Sequence, residues 1–268
     1  ARALRALAAV DMLARSRLLV VREHEGGFEE LQKLVKERVG TELVLVKPAE
    51  LVEEYGRVDE SEAAKVAERW VERALEVVEP PRSEIVRSAK LYLAMGRLLE
   101  RYGAQGITID CLGLFYAGRL PAYPCLGFAE LLDMGLVGAC EADVDSALTQ
   151  LLIRYVTGRP GFISDPVIDQ GSGCIIYAHC VAPTKVYGPA SASVPYRIRS
   201  HAEDRAGASL QVYWPAGEPV TTVKLNVAAK AMAIHSGTIV GNVEEEKACR
   251  TKVAAKVDVD AVLRKWNR

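Results

Sequence analysis

The stretch PCLGFAELLDMGLVGACEADVDSALTQLLIRYVTGRPGFISDPVIDQGSGCIIYAHC, residues 124–180, decides the fold. It contains three short apolar runs, at 136–140, 161–164 and 174–178. Each is followed at once by a residue with chemistry: Glu141, Asp165 and His179. A helical segment over 143–155 separates the first run from the second. Short apolar runs bounded by glycine and alternating with helix read as buried parallel strands. In open α/β sheets, ligands gather at the carboxyl ends of such strands. Two carboxylates and an imidazole at one sheet edge are donors that a hard divalent ion such as Mn²⁺ or Mg²⁺ takes, together with waters or substrate hydroxyls.

Working outward, the pattern before this stretch is also strand and helix in alternation. Residues 1–15 read as a helix with Leu4, Leu7, Ala8 and Met12 on one face. A strand over 18–21 follows, then a helix over 28–39 closed by Gly40, and a strand over 43–46 stopped by Pro48. Asp59 with Glu62 forms a capping pair that opens a helix running towards Val78. Pro80-Pro81 breaks it, a long helix covers 83–101, and a strand covers 106–111. This grammar predicts an α/β fold, a parallel sheet with helices on both faces. After Ala182 it changes to short alternating runs at 196–199, 209–214, 219–227, 231–234 and 251–257, several of them divided by turn residues. A smaller β-rich unit, antiparallel and barrel-like, is expected there. The resulting division is 1–182, an α/β domain carrying the carboxylates, and 183–268, a β-rich domain.

With 34 basic and 35 acidic residues and no concentration of positive charge, the chain lacks the basic stripe of a nucleic-acid binder. No apolar run approaches the roughly 20 residues that span a bilayer. The opening Ala1-Arg2-Ala3-Leu4 reads as the start of an amphipathic helix rather than a leader. Six cysteines at irregular spacing, with no Cys-x-x-Cys pair, read as buried reduced thiols and argue against a structural zinc site. A cytoplasmic protein is expected from this usage.

The blocks Pro124-Cys125-Leu126-Gly127, Leu132-Asp133-Met134-Gly135, Ala139-Cys140-Glu141-Ala142-Asp143, Thr157-Gly158-Arg159-Pro160, Ser164-Asp165-Pro166 and Ala178-His179-Cys180 occur in an order similar to that of the L-fucose isomerase-like family. So do Tyr196-Arg197-Ile198-Arg199-Ser200-His201, Ile234-His235-Ser236-Gly237 and Cys249-Arg250-Thr251-Lys252. The resemblance implies a Mn²⁺-dependent aldose–ketose isomerase acting on open-chain monosaccharides, with Mg²⁺ or Co²⁺ as possible substitutes, assembled as a homo-oligomer (trimer or hexamer). It places the family's paired Glu and Asp at Glu141 and Asp165. It implies a third ligand, a histidine, beyond Trp266, and a family N-terminal domain that precedes Ala1.

Moving a proton between neighbouring sugar carbons passes through an enediolate, which a chelated divalent cation stabilises as a Lewis acid. A nearby carboxylate carries the proton, and two allow one to exchange with carbon while the other serves oxygen. Glu141 and Asp165 are therefore read as ligands and acid–base groups alike, and His179 as a further metal or substrate-orienting residue. Each has a plainer reading. Glu141 would suit a helix N-terminus, Asp165 before Pro166 a turn cap, and His179 a hydrogen-bonded core position. Asp143 and Asp145 read as helix caps, and His24 as solvated. Arg119 and Tyr123, in a loop between strand and helix, are candidate substrate contacts. His201 is another, with a surface or interface position as its alternative. Gly171-Ser172-Gly173 lacks the partners of a phosphate cradle. A metal-dependent aldolase or epimerase, or a sugar-binding remnant without catalysis, remain the alternatives to an isomerase.

Overall fold

The computed structural model describes residues 2–266. Its first part comprises α1 (Arg2–Arg15), β1 (Arg17–Val21), α2 (Phe28–Arg38), β2 (Glu42–Val46), α3 (Pro48–Arg57), α4 (Glu60–Arg73), β3 (Glu76–Val77), α5 (Arg82–Tyr102), β4 (Gly106–Ile109), α6 (Cys111–Tyr116), α7 (Cys125–Asp133), β5 (Val137–Ala139) and α8 (Val144–Thr157). Strands β2-β1-β4-β5, in that order, form a parallel sheet. Successive residues of a strand face opposite sides. Leu19, Val21, Ile107 and Ile109 accordingly join one core with Ile85, Leu98 and Phe128 of α5 and α7. Leu18 and Val20 join another with Val35, Leu148 and Leu151 of α2 and α8. Burial on both faces explains why these strands read as continuous apolar runs.

Two boundaries differ from the sequence reading. Pro48 ends β2 and also sits in the first turn of α3, where its missing N–H costs nothing and its fixed φ suits a helix. The helix capped by Asp59, whose carboxylate accepts from the Ser61 and Glu62 amides, ends at Arg73 rather than near Val78. Ala74 turns extended, and Glu76–Val77 pairs in parallel with a later strand.

The second part comprises β6 (Asp165–Asp169), β7 (Cys174–His179), β8 (Tyr196–Arg199), β9 (Ser209–Val212), β10 (Pro219–Asn226), β11 (Ala231–Asn242), β12 (Thr251–Lys256) and α9 (Val259–Trp266). An antiparallel sheet runs β10-β11-β12-β7-β6, and a smaller one runs β3-β8-β9. The chain is thus an α/β unit followed by a β-rich one, as the sequence predicts.

Of the three apolar runs in the deciding stretch, only 136–140 supplies a strand to the parallel sheet. Residues 161–164 form no strand, and 174–178 lie in β7, antiparallel to both β6 and β12. The cause is local. Asp169 accepts from the Gly171 and Ser172 amides, and Gly173 adopts a φ of 63°, closing a tight hairpin between β6 and β7. A short turn can join only antiparallel strands. Since β6 and β7 precede Ala182, the five-stranded sheet draws on both sides of that position.

Candidate active site

Glu141 lies just past β5, at the carboxyl edge of the parallel sheet, and is exposed. The chain turns there through two consecutive left-handed residues, Glu141 at φ 64° and Ala142 at φ 52°. Non-glycine residues in that region cost about 1–2 kcal/mol each. The turn is held by Ala142 N–H donating to Ile109 O and Asp143 N–H to Cys140 O. Asp143 takes the capping role at α8, accepting from Ser146 N–H at 2.8 Å and from Lys224 Nζ at 2.9 Å. The Glu141 carboxylate is therefore not spent on the helix. No side-chain hydrogen bond or ion pair engages it among the described residues.

Asp165 opens β6, is exposed, and also has no side-chain partner among the described residues. Its register partner is Ala178, which pairs on its other side with Lys252, so the three side chains share one face of the sheet. His179 follows Ala178 and therefore faces the opposite way, in register with Thr251. It is 6% exposed, and its Nδ1 accepts from Val181 N–H at 3.2 Å. The strand pleat thus separates His179 from Asp165 instead of bringing them to one ion.

Cys111 opens α6, Cys125 opens α7 and Cys140 follows β5 directly before Glu141; all three are buried. Cys180 follows β7 and Cys249 lies shortly before β12. All six cysteines are free; five are buried and Cys249 is half-buried. The Cys249 bond and the neighbouring His201 hold the Cys180 thiol well below its ordinary range, against the effect of burial. Hydrogen bonds from Cys111 and Cys125, with burial, raise Cys140. Lys252, 6% exposed, donates from Nζ to the Cys249 carbonyl at 2.6 Å, and burial with Arg250 lowers its pKa.

The other candidates have definite places. Arg119 is exposed and pairs with Glu23 at 3.1 Å. Tyr123 is only 1% exposed; its ring lies between Phe115 and His201, and its hydroxyl donates to Asp204. That is a core position, not a lining one. His201 is 7% exposed and bonds Asp204 through Nδ1 at 3.3 Å, so the surface reading of this residue does not hold. His235 bonds the Tyr177 hydroxyl at 2.8 Å within the β-rich sheet, and His24 is exposed. The place of Lys252 on the same sheet face as Asp165 was not legible, because only the β6-β7-β12 pairing puts it there.

Glu141 and Asp165 are the oxygen donors a hard cation accepts. Among the described residues, however, no group of three or more His, Cys, Asp or Glu is arranged to hold a metal ion. The histidine implied by the family resemblance falls outside the described residues.

No family model matches the chain. It is 26% identical over 189 residues to a sulfoquinovose isomerase from Clostridium sp. (strain MSTE9), an alignment covering 69% of this chain and 41% of that protein. It is 23% identical over 159 residues to a sulfoquinovose isomerase from Alkalicoccus urumqiensis, covering 56% of this chain and 35% of that one. The chain spans about two-fifths of the length of the curated relatives it matches. Both relatives carry the name of a sugar isomerase, which agrees with the class the resemblance implied and does not single out L-fucose isomerase.

Proposed function

We propose that the chain carries the proton-transfer site of an aldose–ketose isomerase, with Glu141 and Asp165 as its acid–base pair. The observation that carries this reading is Glu141 itself. Its carboxylate stands at the carboxyl edge of a parallel sheet, on a strained turn, with no side-chain partner among the described residues. Strain of this kind is retained where a site needs it. Sulfoquinovose is the first substrate to test, since both relatives bear that name.

In the reaction, one carboxylate takes the proton from the carbon beside the carbonyl and returns it to the neighbouring carbon. The other exchanges a proton with the sugar oxygens, so that the hydrogen count is unchanged. Acid–base help of this type contributes roughly 10²–10⁴-fold. The cofactor part of the proposal is Mn²⁺, with Mg²⁺ or Co²⁺ as substitutes, held by Glu141 and Asp165 with a donor from outside the described residues. When bound it would polarise the sugar oxygens as a Lewis acid. Assembly as a homo-oligomer and a cytoplasmic location belong to the same proposal.

The test is to incubate the full chain with sulfoquinovose and Mn²⁺ and follow the ketose carbonyl carbon by ¹³C NMR. A Mn²⁺-dependent ketose signal supports the reading. Carbon–carbon cleavage products, or sugar binding with no ketose formed, overturn it.

A further inference from the structure

The turn that presents Glu141 is fixed at both ends. On the near side β5 pairs with β4, and the Thr108 hydroxyl donates to the Cys140 carbonyl at 3.3 Å. On the far side Asp143 is anchored through its carboxylate. One oxygen accepts from Ser146 N–H at 2.8 Å; the other accepts from Ser146 Oγ at 2.6 Å and from Lys224 Nζ at 2.9 Å. Lys224 Nζ also donates to Ser146 Oγ at 2.6 Å. Only residues 141 and 142 lie between these anchors, and both take the left-handed conformation that closes so short a span.

Lys224 comes from a different sheet. It lies in β10, one edge of the five-stranded sheet whose other edge, β6, begins with Asp165. Backbone groups beside it join the same helix: Leu225 N–H donates to Thr149 Oγ1 at 3.0 Å, and Val227 N–H to Asp145 Oδ1 at 3.4 Å. The sheet that carries one candidate carboxylate is therefore bound to the turn that carries the other. A half-exposed ion pair standing alone contributes little. This one is shared with a helix cap and a hydroxyl, which defines its geometry. Burial pushes the Asp143 carboxyl up, but Ser146 and Lys224 outweigh it and keep the cap charged.

We propose that Lys224 is a positioning residue for Glu141. Through Asp143 it holds the left-handed turn against the sheet bearing Asp165, and so sets the spacing of the two carboxylates. A carboxylate that carries a proton from one sugar carbon to the next must reach both, and a small misplacement is costly. Displaced, it loses more of that proton to solvent before returning it. The effect of Lys224 on turnover rests on the isomerase reading above; its hold on the turn does not.

The experiment compares the full wild-type chain with Lys224→Met and Lys224→Arg. Without sugar, NMR follows amide hydrogen exchange at Ala142 and Asp143, whose N–H groups donate to Ile109 O and Cys140 O. Exchange at both is expected to quicken roughly tenfold in Lys224→Met and to return toward the wild-type rate in Lys224→Arg. With sulfoquinovose and Mn²⁺ in D₂O, ketose carrying solvent deuterium is compared with ketose carrying the hydrogen moved from the aldose. That ratio does not depend on how much of the chain is folded. It is expected to rise about threefold or more in Lys224→Met, with kcat down roughly tenfold and KM little changed, and to fall back in Lys224→Arg. Unchanged amide exchange in Lys224→Met overturns the proposal, and so does an unchanged ratio in a chain that forms ketose. Faster amide exchange in a chain whose wild type forms no ketose sinks the isomerase reading and leaves the hold on the turn standing.

Discussion

The rings of Tyr123 and His201 lie face to face, 4.7 Å apart and 13° from parallel, and both side chains reach the same carboxylate, Asp204. Burial alone would lower the His201 pKa, but Cys180 and Asp204 outweigh it and push it up to about 9. His235, half-buried, moves the other way because partial burial disfavours its charged form. Histidine NMR is therefore expected to show His201 titrating near pH 9 and His235 below the ordinary 6.5. In Asp204→Asn the His201 midpoint falls. A wild-type His201 midpoint at or below 6.5 would contradict the arrangement. Tyr123→Phe, which removes the phenol from Asp204, is expected to cost about 1.5–3 kcal/mol in urea denaturation.

Asp133 ties the end of α7 to the segment that follows β7. It is 6% exposed, and one oxygen accepts from the Thr184 and Lys185 amides at 2.8 and 2.7 Å. The other accepts from the Thr184 hydroxyl at 2.5 Å. Asp133→Asn keeps an oxygen for both amides, and its NH₂ can donate to the same hydroxyl. Asp133→Ala leaves all three donors unpaired. The expected cost is under about 1 kcal/mol for the amide and roughly 2–4 kcal/mol for alanine, read from denaturation midpoints. Equal losses would mean that the hydrogen bonds drawn here do not hold the segment.

The left-handed pair at 141–142 allows strain and chemistry to be separated. Ala142→Gly relieves the backbone without touching the carboxylate, and is expected to stabilise the chain by about 0.5–1 kcal/mol with turnover retained. Glu141→Gly gains similar stability and loses turnover. Glu141→Gln retains the strain and also loses turnover. If Glu141→Gly retained turnover, the residue would be a turn element only.

How far the sequence carried depended on where each interaction partner lies. Residues 18–21 and 43–46 are apolar without interruption because both their faces are buried, and that pattern is local. The same pattern at 174–178 cannot distinguish a parallel from an antiparallel partner; the turn at 169–173 decides it. Pro48 carried two meanings, a strand end and a helix start, and only the first was read. Glu141 was legible because it stands directly after a strand at the carboxyl edge of the sheet. The orientation of His179 was not, since one step of the pleat, fixed by pairing with β12, turns it away from Asp165. The burial of Tyr123 and His201 was hidden because their two rings, far apart in sequence, stack on one another and share Asp204.

The account stands on proton movement by Glu141 and Asp165, and hydrogen exchange at carbon observes that step most directly. With the full chain, Mn²⁺ and sulfoquinovose in D₂O, the wild type is expected to place solvent deuterium on the second carbon of the recovered aldose. Glu141→Gln and Asp165→Asn should each slow that incorporation by roughly 10²-fold or more while remaining folded. Deuterium incorporation that persists in either variant at the wild-type rate would contradict the assignment.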